Sequence, residues 1–143
     1  MSYINLLVHC VFSTKERVRL IKPDEQPRLW AFMGGIAREN GIKALAVGGM
    51  DDHAHLLLSL PATMPVAKAM QLIKAGSSGW MRETIANKQF GWQEEYGAFT
   101  IGISQMPATI RYIENQAAHH KKRNFAQEWD IFLKRHGMKQ WEA

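Results

Sequence analysis

The sequence predicts an α+β fold in which strands and helices alternate as βαββαβ and two further helices follow. Three observations lead there. Apolar residues alternate at period two in four short segments, they recur at helical spacing in four longer ones, and no tract rich in Pro, Gly or Ser separates them. The 143 residues are therefore read as a single domain, 1–143.

Ile4 to Ser13 is the first strand, with Ile4, Leu6, Val8, Cys10 and Phe12 on one face and Asn5, His9 and Ser13 on the other. A basic loop from Lys15 to Lys22 follows. From Asp24 to Asn40 the residues Leu29, Phe32, Met33 and Ile36 mark a helix that Gly41 stops. Ile42 to Val47 and His53 to Leu60 read as the two strands of a hairpin, joined by Gly48-Gly49-Met50-Asp51-Asp52.

Pro61 and Pro65 bracket a loop before the second helix, whose stripe is Val66, Met70, Ile73, Ser77 and Trp80, running towards Asn87. Ala98 to Ile103 is the fourth strand. Ser104 and Pro107 open a third helix with Ile110, Ile113 and Ala117 on its buried side, ending near Lys121. Asn124 with Gln127 resembles a capping box for a last helix carrying Phe125, Trp129, Phe132 and Leu133, closed by Gly137. A ferredoxin-like βαββαβ core with an antiparallel sheet and two additional C-terminal helices is the expected architecture.

The net charge of +5 and a pI near 9.5 favour an anionic partner over a neutral metabolite, although charge alone serves solubility equally well. The lone Cys10 has no partner for an intrachain disulfide and suits a reducing compartment. The opening residues lack a signal-peptide pattern and no apolar run approaches a membrane span, so a cytoplasmic protein without a membrane partner is expected.

Chemistry concentrates in two places. On the strand after the hairpin turn, His53 and His55 share a face, roughly 7 Å apart along the backbone. Ala54, Leu56, Leu58 and Leu60 anchor the other face, which is expected to leave the histidines on a face that the helices need not cover. Two such imidazoles can converge on one metal, yet an arbitrary His-x-His pair is more often structural. The second place is Tyr112 and Gln116, one turn apart on the third helix. Taken without the histidines, that tyrosine is an ordinary helix-boundary residue.

Four ordered motifs change this reading. They are Leu6-Leu7-Val8-His9-Cys10-Val11-Phe12-Ser13-Thr14-Lys15, then Gly49-Met50-Asp51-Asp52-His53-Ala54-His55-Leu56-Leu57, then Gly91-Trp92-Gln93-Glu94-Glu95-Tyr96-Gly97-Ala98-Phe99, and Tyr112-Ile113-Glu114-Asn115-Gln116 followed by His119-His120-Lys121-Lys122. Over nearly its whole length the chain resembles the HUH-superfamily single-tyrosine transposases of single-strand insertion sequences, which include the REP-associated tyrosine transposases.

The resemblance implies a metal pair at His53 and His55, a third ligand at Gln116, and a nucleophile at Tyr112 on the first of the two added helices. It implies a divalent cofactor, Mg2+ or Mn2+, and a substrate of single-stranded DNA with a hairpin, cut and rejoined through a 5′-phosphotyrosine. It also implies a homodimer in which the tyrosine helix of one subunit can serve the histidines of the other, with Gly102 as a candidate hinge. His9 is a candidate to support the metal ligands. Lys15, Arg17 and Arg19, Lys74 with Ser77 and Ser78, and Lys121, Lys122 and Arg123 are candidate DNA contacts. The alternative is a domesticated or inactive module of the same fold that binds hairpin DNA or RNA without cutting it.

Overall fold

The computed structural model describes residues 2–116 and 123–138. Four strands, β1 (Leu7–Ser13), β2 (Lys43–Gly49), β3 (His53–Ser59) and β4 (Gly97–Thr100), form one antiparallel sheet in the order β2-β3-β1-β4. The helices are α1 (Gln26–Glu39), α2 (Val66–Glu83), α3 (Met106–Glu114) and α4 (Phe125–Arg135). This is the α+β architecture predicted, with its βαββαβ core and helices added at the C-terminal end.

Several boundaries differ from expectation. β1 starts at Leu7, which pairs with Ser59, the last residue of β3. Beyond it Pro61 has no N–H to extend the ladder, and Ile4 and Leu6 are exposed. β2 runs two residues past Val47, so Gly48 and Gly49 belong to the sheet and pair with His55 and Ala54. α2 stops at Glu83 and β4 at Thr100. α3 ends at Glu114, with Asn115 as a turn and Gln116 just beyond. The capping box at α4 forms as read: Gln127 N–H donates to Asn124 Oδ1 and Asn124 N–H to Gln127 Oε1, each at 2.9 Å.

One face of the sheet meets α1 and α2. Val8, Cys10 and Phe12 of β1 and Ala54, Leu56 and Leu58 of β3 pack there against Leu29, Met33, Met70 and Ile73. Burying a leucine is worth about 1.5–3 kcal/mol, so this layer locks the register of β3. A slip of one residue would turn Leu56 and Leu58 away from it and drive both histidines into it.

The opposite face is also covered, contrary to the expectation of an open histidine face. Ile113 of α3 packs on Ala46 and Leu57, while Phe125, Phe132 and Leu133 of α4 pack with Val11 and Phe99. The added helices carry their own apolar stripes, and the half-polar face of the sheet is the surface left for them to bury. Two glycines let them approach closely: a Cβ at Gly48 would collide with the Ile113 carbonyl, and one at Gly97 would lie 2.7 Å from the Trp129 ring.

Candidate metal and tyrosine site

His53 and His55 point from β3 into the layer between sheet and added helices, and both are fully buried. Each ring is held by its Nδ1. That of His53 lies 2.7 Å from Asp52 Oδ1, and that of His55 lies 2.9 Å from Nε2 of His9 on the neighbouring strand. The ring of His53 is stacked on Phe125, with centroids 4.5 Å apart. With both Nδ1 atoms engaged on the outside, the two Nε2 atoms face inward to a common point.

Oxygen atoms meet them there. Gln116 Oε1 is 2.9 Å from His53 Nε2, and Glu128 Oε1 is 2.7 Å from His55 Nε2 and 3.7 Å from His53 Nε2. Ligand atoms of His53, His55 and Glu128 all lie within 4.8 Å of one another. The donor set is chemically apt for a divalent cation: His53 with its Nδ1–H on Asp52 offers Nε2 as a lone pair, and a carboxylate and an amide oxygen stand beside it. Two imidazoles with one or two oxygens suit manganese and later transition metals and admit magnesium.

Glu128 was not among the residues singled out from the sequence. Its signal was a carboxylate at i+3 from Phe125 and i−4 from Phe132, and therefore on the buried stripe of α4. A charge on that stripe needs a partner, because unpaired burial costs several kcal/mol. Burial would by itself raise the Glu128 carboxyl. In the metal-free protein the hydrogen bond and electrostatic pull of His55, the Tyr112 hydroxyl and the pull of His53 outweigh it and bring the carboxyl down to about 2.

Tyr112 stands at the edge of this cluster, half-buried, with its ring edge-on to His55 and Phe132, each at 5.6 Å. Burial raises its phenol above the ordinary value. A hydrogen bond to Glu128 and that residue's charge raise it further, while Gln116 and Arg123 pull it back. The tyrosine and the histidine pair thus meet within one chain. Burial, reinforced by positive charge at His55, lowers His9 to about 3 against a weaker opposing pull from Glu128, so this ring is a neutral support for His55.

The other candidates fall in varied surroundings. Lys15 lines a cavity of about 890 Å3 between α2 and the loop before β4, together with Lys74, Arg82, Trp92 and Tyr96. Lys74 spends its ammonium inside the protein, donating to the carbonyls of Gln93 at 2.6 Å and Glu94 at 2.8 Å. Ser77 is buried, donating to the Ile73 carbonyl and accepting from the Trp92 indole, so it does not face a ligand. Arg17 lies over the Phe125 ring, and Arg19 is exposed, 3.8 Å from Asp51. Gly102 has an ordinary φ of −84° and caps a short turn. His119, His120, Lys121 and Lys122 lie outside the described residues.

The antiparallel sheet thus carries paired histidines on β3 opposite the helix-borne Tyr112. The chain belongs to the family of IS200-like transposases, whose model matches residues 2–116. It is 25% identical over 114 residues to the ISDra2 transposase TnpA of Deinococcus radiodurans, covering 76% of this chain and 81% of the relative. Among solved structures it is similar to a protein of Deinococcus radiodurans R1 described provisionally as a transposase, with a TM-score of 0.67 and 25% identity over 80% of this chain and 93% of the other. The fold is also that of a REP-associated tyrosine transposase bound to a REP hairpin, with a TM-score of 0.61 and 17% identity over 84% of this chain and 72% of the other. Glu128 lies beyond the residues that the family model matches.

As a transposase the protein is an enzyme of DNA cleavage and strand transfer. Among the described residues no helix is long and apolar enough to cross a membrane.

Proposed function

We propose that this transposase cuts and rejoins single-stranded DNA through a covalent phosphotyrosine at Tyr112, with a divalent cation held by His53, His55 and Glu128 and assisted by Gln116. The observation that carries this reading is the sharing of one carboxylate. Glu128 receives the hydroxyl of Tyr112 and also lies 2.7 Å from His55 Nε2, so the nucleophile and the metal-ligand set are held by the same side chain.

The phenolic oxygen loses its proton and attacks the scissile phosphorus in line, forming a phosphotyrosine on the 5′ side while the bond to the 3′ oxygen breaks and that oxygen takes up one proton to leave as a hydroxyl. The phosphoester is kept rather than hydrolysed, so another 3′ hydroxyl can attack it and rejoin the strand without ATP. A bound Mg2+ or Mn2+ supplies Lewis-acid polarisation of the phosphate and stabilises the leaving oxygen. Glu128 and Gln116 orient the phenol, Asp52 fixes the tautomer of His53, and His9 fixes the ring of His55.

A hairpin-bearing strand is the substrate we propose, supported by the hairpin bound to the REP-associated relative. The nearness of Tyr112 to the histidines of its own chain supports a site completed in cis. In a homodimer, exchange of tyrosine helices is then unnecessary for cleavage.

The test incubates the protein with Mn2+ and end-labelled single strands carrying the palindromes that flank its gene, and reads a covalent adduct on a denaturing gel. The adduct forms with the parent and disappears in Tyr112→Phe and His55→Ala. Cleavage by Tyr112→Phe at the parental rate would instead mean attack by water, and hairpin binding without cleavage by the parent would favour an inactive binding module.

A further inference from the structure

A second, smaller cavity of about 410 Å3 lies between the start of α4, the end of β1 and the loop before β4. Its walls include Arg17, Gln93, Tyr96, Phe125 and Trp129. It adjoins the candidate site directly, because Phe125 is stacked on His53, and Val11 and Ser13, which also line it, pair across the sheet with His55 and His53. It shares Gln93 and Tyr96 with the larger cavity lined by Lys15 and Arg82, so the two cavities adjoin.

The backbone is strained where this cavity needs its cation. Glu16 and Arg17 are consecutive non-glycine residues with φ of 58° and 57°. Such strain persists only where the surroundings hold it. Here Arg17 N–H donates to the Thr14 carbonyl, the Thr14 hydroxyl reaches the Val18 carbonyl at 2.6 Å, and Glu16 N–H donates to Gln93 Oε1 at 3.0 Å. The result places the Arg17 guanidinium 5.3 Å from the centre of the Phe125 ring. On the other side Trp129 is seated against β4 because Gly97 has no side chain.

Aromatic faces, a guanidinium and an amide suit a flat, polar-edged ring. They do not suit a phosphate, because Glu16 and Glu95 also line the cavity and would repel one. Its volume falls within the range of small-ligand sites, roughly 300–1,000 Å3. We propose that this cavity holds one unstacked nucleobase of the bound single strand, next to the phosphodiester presented to His53 and His55, with Tyr96 and Trp129 as its stacking surfaces. This rests on the single-strand reading of the previous subsection.

The test compares binding of a 12-nucleotide oligo-dC with that of an abasic strand of the same phosphate count, read by tryptophan fluorescence and by filter binding. Oligo-dC is expected to quench the emission that is lost in Trp129→Phe, and the abasic strand to leave it unchanged. Tyr96→Ala and Trp129→Leu are expected to weaken oligo-dC binding about tenfold, with abasic binding unaltered and Trp129→Phe retaining most of the affinity. Tyr96 is exposed at the rim, so its variant keeps the test valid if Trp129→Leu does not fold. Equal affinity of parent and Tyr96→Ala for oligo-dC, or loss of both strands alike, overturns the base site while leaving the single-strand reading in place. Failure of the parent to bind any single strand overturns both.

Discussion

Gly48 lies directly beneath the backbone carbonyl of Ile113, with no room between them for a methyl group. Gly48 pairs with His55 across the sheet, and Ile113 follows Tyr112 on α3. This contact therefore sets the height of the tyrosine helix over the histidine strand. Gly48→Ala must lift α3, and a misplacement of about 1 Å at a reacting group costs on the order of 100-fold in rate. Adduct formation should fall by about that factor, while calorimetric Mn2+ binding changes far less. Adduct formation by Gly48→Ala at the parental rate would show that this spacing does not govern the reaction.

Glu128→Gln preserves the shape of the side chain and removes its charge. Mn2+ affinity, followed by titration calorimetry, should drop by about tenfold or more. The tyrosine responds in the opposite sense, because the charge of Glu128 is one of the causes of its raised pKa. An ultraviolet titration of the variant in chelator should bring the Tyr112 transition down. An unchanged affinity would remove Glu128 from the ligand set.

Acid should destabilise the metal-free protein, with His9 as one cause. Its ring is held near 3 when folded and returns to about 6.5 when unfolded, so between these values the unfolded chain binds more protons and stability falls as pH falls. Glu128 acts in the same direction at lower pH, between its ordinary 4.5 and about 2. In chelator the melting temperature should decline below pH 6.5, and His9→Gln should decline less steeply between 6.5 and 4.5. Identical slopes for parent and variant would sink the assignment.

Arg19 and Lys74 should separate in a salt titration of single-strand binding. An exposed cation that neutralises one phosphate contributes about −0.7 to the log-log slope. Arg19→Ala, at an exposed side chain, should lose about that increment. Lys74→Ala should leave the slope unchanged and lower the melting temperature, since its ammonium ties down the carbonyls of the loop before β4. A reduced slope for Lys74→Ala would return that lysine to the DNA-binding set.

Much of this fold is local in origin and so legible in the chain. Alternation along His53–Leu60 separates the faces of β3, and the Asn124–Gln127 pair starts α4 because a cap is satisfied within four residues. The extent of β1 was not legible, since Ile4 and Leu6 continue the pattern and only the end of β3 terminates the pairing. At Ser77, which stands on the predicted stripe of α2, the partner was hidden for a similar reason: it is the Trp92 indole, 15 residues away.

The amino-acid sequence by itself determined that His53 and His55 share a face, that Tyr112 and Gln116 stand a turn apart, and that the chain resembles the family to which it belongs. Strand pleat and helical pitch are properties of neighbouring residues, and they need no knowledge of the rest of the molecule. Only the tertiary structure decided that the histidine face is covered and that Glu128 joins it, 73 positions beyond His55. A carboxylate's role depends on which charges it is buried against, and that is settled when α4 packs its stripe of Phe125, Glu128 and Phe132 onto the sheet.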